Sequence, residues 1–405
     1  VTKRKPEQAR HSPHARKGDT AQTSDDCMVN EGAGTKSPSP RARRETDGRM
    51  AMAPERDIGI GIVGCGMISE VQADAIRKVT GARVVAFCDT VVAAAKARAS
   101  EFGGHAYARV EELLADPAVD AVSICTPSGL HLEPAVLAAQ AKKHVMVEKP
   151  IEVTIERANQ IVEACRTNGV KLGAIFPRRF LPSSQAVKKA VDTGRFGDIV
   201  LATVHIKWYR SREYYANGGW RGTYRLDGGG VLMNQGIHGI DLLQWLMGGV
   251  SEVSAFAATR AHPGLEVEDV AAAAIVFRSG ALGAVEGTTG SWPGDKIRIE
   301  ISGFDGSVVL EDEAIRAWRF RNPHPEDDEV RALLAPREGS TSGGATDPRA
   351  IDSDGHRQQF QDFVAAIRGD RAPKIDGADA RAAVAIISAI YLSARERRAI
   401  TVAAD

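Results

Sequence analysis

The chain has 405 residues, room for two to three domains. It carries 52 Lys+Arg against 52 Asp+Glu, so its net charge is zero, which argues against a dedicated nucleic-acid binder and a polybasic membrane surface. It contains no apolar run of about 18 residues, so no transmembrane helix is expected, and its five cysteines are odd in number without a C-x-x-C, so neither a disulfide framework nor a metal site is expected.

Residues 1–56 are rich in Lys, Arg, Ser, Pro, Asp and Glu and hold no aromatic residue. Such a segment cannot bury enough apolar surface to offset its ordering entropy, and disorder is expected there. Arg43-Arg44 is not followed by the apolar region of an export signal. Met50 and Met52 stand just before the first strand, so the segment reads either as an over-extended gene start or as a genuine tail.

From Ile58 the pattern changes. Residues 58–63 form a short apolar strand, Gly64-Cys65-Gly66-Met67-Ile68-Ser69 a glycine turn, and a helical stretch follows to about Val79. A second strand, 83–88, ends at Asp89. Glycines at Gly64 and Gly66 permit a tight turn and let backbone approach a pyrophosphate at a helix N-terminus, with Met67 and Ile68 opening that helix. Asp89 is placed to accept hydrogen bonds from a ribose 2′-hydroxyl. Thr90-Val91 offers no arginine for a 2′-phosphate, so NAD is favoured over NADP. Strands and helices keep alternating to about 175: helix 91–102, helix 110–115, strand 118–125, helix 132–141, strand 144–147, helix 154–168, strand 170–175. This predicts an α/β, Rossmann-type doubly wound parallel sheet over 57–176. In such sheets ligands bind at the carboxyl ends of the strands. The loop Thr126-Pro127-Ser128-Gly129-Leu130-His131 and the tripeptide Glu148-Lys149-Pro150 stand at two of those ends. A lysine there can face both a cofactor and a substrate.

Beyond Phe176 the pattern breaks. A helix at about 181–193 is followed by β-like runs at 198–209, 251–260, 268–277, 281–290, 296–302 and 306–311. They predict a C-terminal α+β domain over 177–402 with a large, mostly antiparallel open sheet. A long loop is read at 322–354 and two helices at about 356–368 and 378–396. Residues 231–247 read as one buried helix after Asp227 and a glycine run. Asn234, His238 and Asp241 fall at i, i+4 and i+7, one polar stripe on an apolar helix. Such a stripe is either a self-satisfied core pair or a histidine base oriented by a carboxylate one turn on. Arg178, Arg179, Trp220 and Arg221 lie among further aromatics in the same half, and suit sugar rings and anionic groups.

Together these residues resemble the Gfo/Idh/MocA oxidoreductase family: the glycine turn at 64–69, Asp89, the Thr-Pro-x-x-x-His loop, Glu148-Lys149-Pro150, and the Gly-Gly-Gly…His-x-x-Asp segment at 228–241. The resemblance spans roughly 57–402. It implies a dehydrogenase or reductase acting on a secondary hydroxyl or ketone of a sugar, inositol, sugar acid or nucleotide sugar. It further implies cofactor contacts from the turn, Asp89, Thr126, Pro127, Ser128, His131, Glu148 and Lys149, and catalysis by Lys149 and His238 with Asn234 and Asp241. Many members carry aspartate where this chain has Asn234, which leaves His238 and Lys149 as the ionisable pair. A homodimer or homotetramer built through the C-terminal sheet, in the cytoplasm, is implied as well. Two other readings stay open: an NAD-dependent glycosidase of the same family, which would cleave glycosides without net NADH, and a non-catalytic nucleotide or sugar sensor, against which the presence of both Lys149 and His238 argues.

Overall fold

Six parallel strands make the first sheet. They are β1 (Ile58–Val63), β2 (Ala82–Cys88), β3 (His105–Tyr107), β4 (Ala121–Ile124), β5 (His144–Val147) and β6 (Leu172–Ala174), in the order β3-β2-β1-β4-β5-β6. The order reverses between β1 and β4, so the crevice at their carboxyl ends is the expected ligand site. Helices α1 (Met67–Ile76), α2 (Val92–Phe102), α3 (Val110–Ala115), α4 (Leu132–Gln140) and α5 (Ile155–Asn168) make the crossovers. The central strands are buried on both faces, which is why they read as continuous apolar runs. The structure is a computed structural model that describes residues 56–216, 219–331, 333–334 and 353–403. The expected disorder of 1–56 therefore lies, Arg56 apart, outside the described residues, as does most of the loop read at 322–354.

The second half begins with α6 (Pro182–Asp192), β7 (Ile199–Lys207) and a short helix, α7 (Arg212–Ala216). Next come a π-helical turn, Val231–Gly236, and α8 (Ile237–Met247). The strands β8 (Val250–Ala258), β9 (Val270–Phe277), β10 (Leu282–Thr288), β11 (Arg298–Gly303), β12 (Gly306–Glu311) and β13 (Ala314–Phe320) follow, then α9 (Asp327–Arg331), α10 (Asp354–Arg368), α11 (Gly377–Glu396) and β14 (Ile400–Thr401). The eight-stranded sheet runs β13-β12-β11-β7-β10-β9-β8-β14 and is antiparallel except for the β7–β10 pair. Period-2 alternation sends Ala202, Val204, Ile206, Ile275, Val285 and Ile299 inward, against α8 and α11. Leu201, Leu282 and Phe256, on the other face, are 46, 57 and 65 % exposed.

Several elements escaped the sequence reading: α7, α9 (inside the stretch read as a loop at 322–354) and β14 are short, at five, five and two residues. β13 carries Arg316 and Arg319 at outward positions and is anchored through Ala314, Ile315 and Ala317, a pattern too polar to stand out. β3 is three residues long. The helix expected over 231–247 is also two elements, the π turn and then α8. The amides of Gly230 and Leu232 donate to buried Glu268, at 2.8 and 2.9 Å, and hold the entry of the wider turn. Finally, α10 crosses the expected domain boundary. Its Phe360, Phe363 and Val364 pack in one apolar cluster with Ile60, Ala73 and Phe87 of the first half.

Candidate active site

A single cavity of about 1070 Å³ runs from the glycine turn to the π turn. That is the upper end of the roughly 300–1,000 Å³ typical of one drug-sized ligand, so there is room for a cofactor and a substrate end to end. At one end are Gly64, Gly66, Met67, Ile68, Asp89 and Arg109; Thr126, Pro127 and Ser128 continue the wall to Glu148 and Lys149.

The first end fits a dinucleotide. Gly64 has φ of +93°, and a Cβ there would sit 2.7 Å from the carbonyl of Cys125. At Gly66 a Cβ would meet nothing within 4 Å, so the bare backbone borders open space. The N-terminus of α1 carries no side-chain cap, which leaves its first amides to an anion. Ser69 is fully buried, and its hydroxyl donates to the Gly66 carbonyl at 2.5 Å, closing the turn from below. Asp89 accepts from the amides of Cys65 and Val91, both at 2.8 Å, which fixes its carboxylate at the mouth. Arg109, which the sequence reading passed over, lines the same end and faces Glu111 at 3.5 Å.

Lys149 stands just beyond β5. Its Nζ donates to the backbone carbonyl of Asn234 at 2.8 Å, joining the two halves. Burial pushes its ammonium below the ordinary value; Glu148 and Asp227 oppose that, and Arg210 and Arg221 add to it. Beneath it a buried chain of hydrogen bonds holds Glu148: the Ser123 hydroxyl donates to Gln72, and Gln72 Nε2 donates to Glu148 Oε1 at 2.5 Å. Gln72 and Ser123 had no signal in the sequence, because each sits at an ordinary apolar-face position.

His238 lines the cavity, with its ring edge-on to Phe176 at 6.0 Å between centroids. Burial, reinforced by the charges of Lys149, Arg178 and His356, holds its pKa well below the usual histidine value, so the ring is neutral. Its Nδ1 is buried with no hydrogen-bond partner among the described residues. The expected orienting carboxylate is elsewhere. Asp241 is 1 % exposed and gives both oxygens to Arg179, at 2.5 and 2.8 Å. Arg179 is itself 3 % exposed and also reaches Asp379. The polar stripe read over 234–241 is therefore split. Asn234 and His238 face the cavity, whereas Asp241 and Arg179 form a buried ion pair that fastens α8 to the 177–180 turn and α11. Arg179 is thus not a substrate ligand, nor does Asp241 orient His238. His131 is corrected too. Its two ring nitrogens lie 2.9 Å from the Pro150 carbonyl and 3.0 Å from that of Thr126. It ties two cavity loops together from behind rather than facing the cofactor space.

Asn234 is held by a residue the sequence reading took only for a helix start. Asp227, 1 % exposed, accepts from Asn234 Nδ2 at 2.7 Å and from the Gly222 amide at 2.9 Å. Burial pushes its carboxyl up to about 6. The far wall is aromatic and cationic. The Arg210 guanidinium lies 4.9 Å from the Trp208 ring and 5.2 Å from that of Tyr214, and Arg221 lies 4.6 Å from Tyr214 and 5.2 Å from Trp220. Trp208, Arg210, Trp220 and Arg221 all border the cavity. Arg178 borders it too, bound to Asp312 at 2.8 Å. Trp208 Nε1, Gln235 Oε1 and Asp312 Oδ2 are buried without hydrogen-bond partners among the described residues. Such groups are costly unless a ligand satisfies them. Asp312 and His356 come from segments remote in sequence, and nothing local marked them.

The residues 58–176 match a family model described as an oxidoreductase family NAD-binding Rossmann fold, and 188–402 match the C-terminal alpha/beta domain of the same family. The WlbA dehydrogenase of Bordetella pertussis, solved in complex with NADH and UDP-GlcNAcA, is 36% identical with a TM-score of 0.77; the match covers 87% of this chain and 99% of that one. The inositol 2-dehydrogenase of Rhizobium meliloti is 28% identical over 85% of this chain and 99% of its own length. The D-apiose dehydrogenase of Paraburkholderia graminis is 27% identical over 84% of this chain and 88% of its own. With both family domains present in order around one cavity, the chain belongs to the Gfo/Idh/MocA oxidoreductase family and is an NAD-dependent enzyme acting on CH–OH groups.

Proposed function

We propose that the protein moves a hydride between NAD and a secondary hydroxyl or ketone of an anionic sugar, with nucleotide sugar acids as the first class to test. The observation that carries this reading is the wall of Arg210 and Arg221 on aromatic faces, in the same cavity as Lys149 and His238. Guanidinium groups fork onto carboxylates and phosphates, and aromatic faces stack on sugar rings. The WlbA dehydrogenase was solved with a sugar of that kind.

The amides opening α1 hold the pyrophosphate, and Asp89 accepts from the ribose hydroxyls. When bound, the nicotinamide supplies the hydride acceptor or donor. In the oxidative direction Lys149 Nζ takes the hydroxyl proton as the C–H hydride leaves, and the carbon becomes a ketone. A lysine lowered by burial suits that task. His238, kept neutral, aligns the hydroxyl by a hydrogen bond. We infer a homo-oligomer joined through the open sheet face, which exposes Leu201, Leu282 and Phe256. We also place the protein in the cytoplasm. Cys65, Cys88, Cys125 and Cys165 are free thiols. The 20-residue apolar helix α11 is more than half buried in the fold. Fractionation of the source cells tests that location.

The substrate experiment is NADH absorbance over a panel of UDP-sugar acids, free uronates, neutral sugars and inositols, with wild type and Arg221→Ala. Turnover should favour the anionic members, and Arg221→Ala should raise their KM alone. Equal turnover of neutral and anionic compounds, unchanged in the variant, would remove the charge argument.

A further inference from the structure

Asp227 is a buried carboxylate that no step above uses. It does not border the cavity, yet it touches two parts of the catalytic end. One oxygen accepts from Asn234 Nδ2 at 2.7 Å and the other from the Gly222 amide at 2.9 Å. Asn234, in turn, accepts the Lys149 ammonium on its backbone carbonyl at 2.8 Å. A carboxylate can only accept, so the amide must turn its –NH2 toward Asp227. The side chain then presents Oδ1 to the cavity that Asn234 borders. A mere clamp on the 222–234 segment would not need a charge, and burying one is costly. The charged groups facing Asp227 are Lys149 from the end of β5 and Arg221 from the segment before it; the Tyr215 hydroxyl of α7 lies on the same side.

We propose that Asp227 and Asn234 act as one unit in place of a single cavity carboxylate. Asp227 joins Glu148 in supplying the negative charge that balances Lys149, and Asn234 relays its orientation by offering Oδ1 to a substrate hydroxyl next to the one that gives its proton to Lys149. Asp227 is a positioning residue in this scheme. The inference rests on the reading that Lys149 works on a substrate hydroxyl. It makes a distinctive demand: the acid and the amide are exchangeable as a pair but not singly. Asn234→Asp alone sets two carboxylates in contact, which then share a proton. Asp227→Asn alone removes the charge. The double exchange restores one acid and one amide.

The test uses the full chain without substrate. Lysines are reductively methylated with a carbon-13 label, Lys149 is assigned through Lys149→Arg, and its titration is followed by NMR. Asp227→Asn should lower the Lys149 midpoint by about one unit or more, as loss of a nearby opposite charge does. The double exchange should return it to within about half a unit of wild type. In turnover, Asp227→Asn should lose at least about tenfold in kcat, and the double exchange should recover most of it. A midpoint that stays put in both Asp227→Asn and the double exchange overturns the proposal, whatever the melting temperatures do. Should Asp227→Asn not fold, Asp227→Ser stands in for it: a Lys149 midpoint lowered by about one unit or more supports the pair, and one that stays at the wild-type value sinks it. Wild-type protein that turns over nothing on the sugar panel would instead sink the functional reading, and the Lys149 titration would still settle the pair.

Discussion

Lys149 and His238 share a cavity, but burial acts on them to different ends. Both are disfavoured as cations, and His238 starts from a much lower value, so it stays neutral wherever the enzyme works. The pH profile of kcat/KM should therefore show no limb near the ordinary histidine value of about 6.5. Its acid limb, in the oxidative direction, should be set by loss of neutral Lys149. Lys149→Ala and His238→Ala should each lower kcat by roughly 10²–10⁴. His238→Asn keeps a hydrogen-bonding group and should recover part of that loss, whereas Lys149→Met should not. Steady-state kinetics over pH decide this, and full activity in His238→Ala would make the ring structural. At the other end of the cavity, Asp89→Ala should narrow the preference for NAD over NADP, because it removes the carboxylate that repels a 2′-phosphate. Cofactor KM ratios measure it; an unchanged ratio would mean that Asp89 does not set the discrimination. Much at this scale was legible because the chemistry is local. Gly64, Gly66, Asp89 and Lys149 are read from strand ends and turns. Asp312, His356 and Asp227 were not, because their meaning lies in contacts between segments that only the fold brings together.

The π turn shows what an element-level pattern can and cannot carry. Apolar periodicity marked 231–247 as buried and helical, and it is. Periodicity assumes a constant turn, however, and here the partner of the backbone amides changes the pitch. Glu268, on the segment leading into β9, takes the Gly230 and Leu232 amides and the Tyr391 hydroxyl of α11, the last at 2.8 Å. This clasp sets the turn that carries Asn234 and precedes His238. Burial pushes the Glu268 carboxyl up to about 7, against donors that pull it down. A raised carboxyl contributes stability fully below its unfolded value of about 4.5, and loses it as pH rises through about 7. The Tyr391 hydroxyl favours the ionised form, so it matters most above that range. Tyr391→Phe should cost about 1.5–3 kcal/mol at pH 8, typical of a hydrogen bond to a charged group. The deficit should shrink as pH falls to 5, where Glu268 takes up its proton. Urea unfolding at the two pH values measures it, and a deficit independent of pH would mean that Tyr391 acts by packing alone.

At the scale of the whole molecule, two arguments run in opposite directions. The division into an α/β half and an α+β half was readable from the order of elements, since strands alternating with helices give way to strands alone. That α10 returns to seal the first half was not readable, because an amphipathic helix does not say which core it covers; Phe360 and Phe363 find Ile60 and Phe87. The eight-stranded sheet poses the complementary question, for one face has α8 and α11 and the other, among the described residues, has no helix. Register pairs Leu201 with Leu282 and Leu282 with Val276 across that face, and sets Thr203, Ala284, Ala274 and Ser254 side by side in the next row. Small residues flanked by leucines make a flat surface that two copies can share across a two-fold axis, where each substitution is felt twice. The homo-oligomer proposed above should therefore fall to monomers in light scattering when Leu201→Asp is combined with Leu282→Asp. The cavity is lined within one chain, so the monomer should still bind NAD with similar affinity. A double variant that keeps the wild-type mass would move the interface off this face, and one that loses NAD binding along with assembly would mean that the partner copy shapes the cofactor end as well.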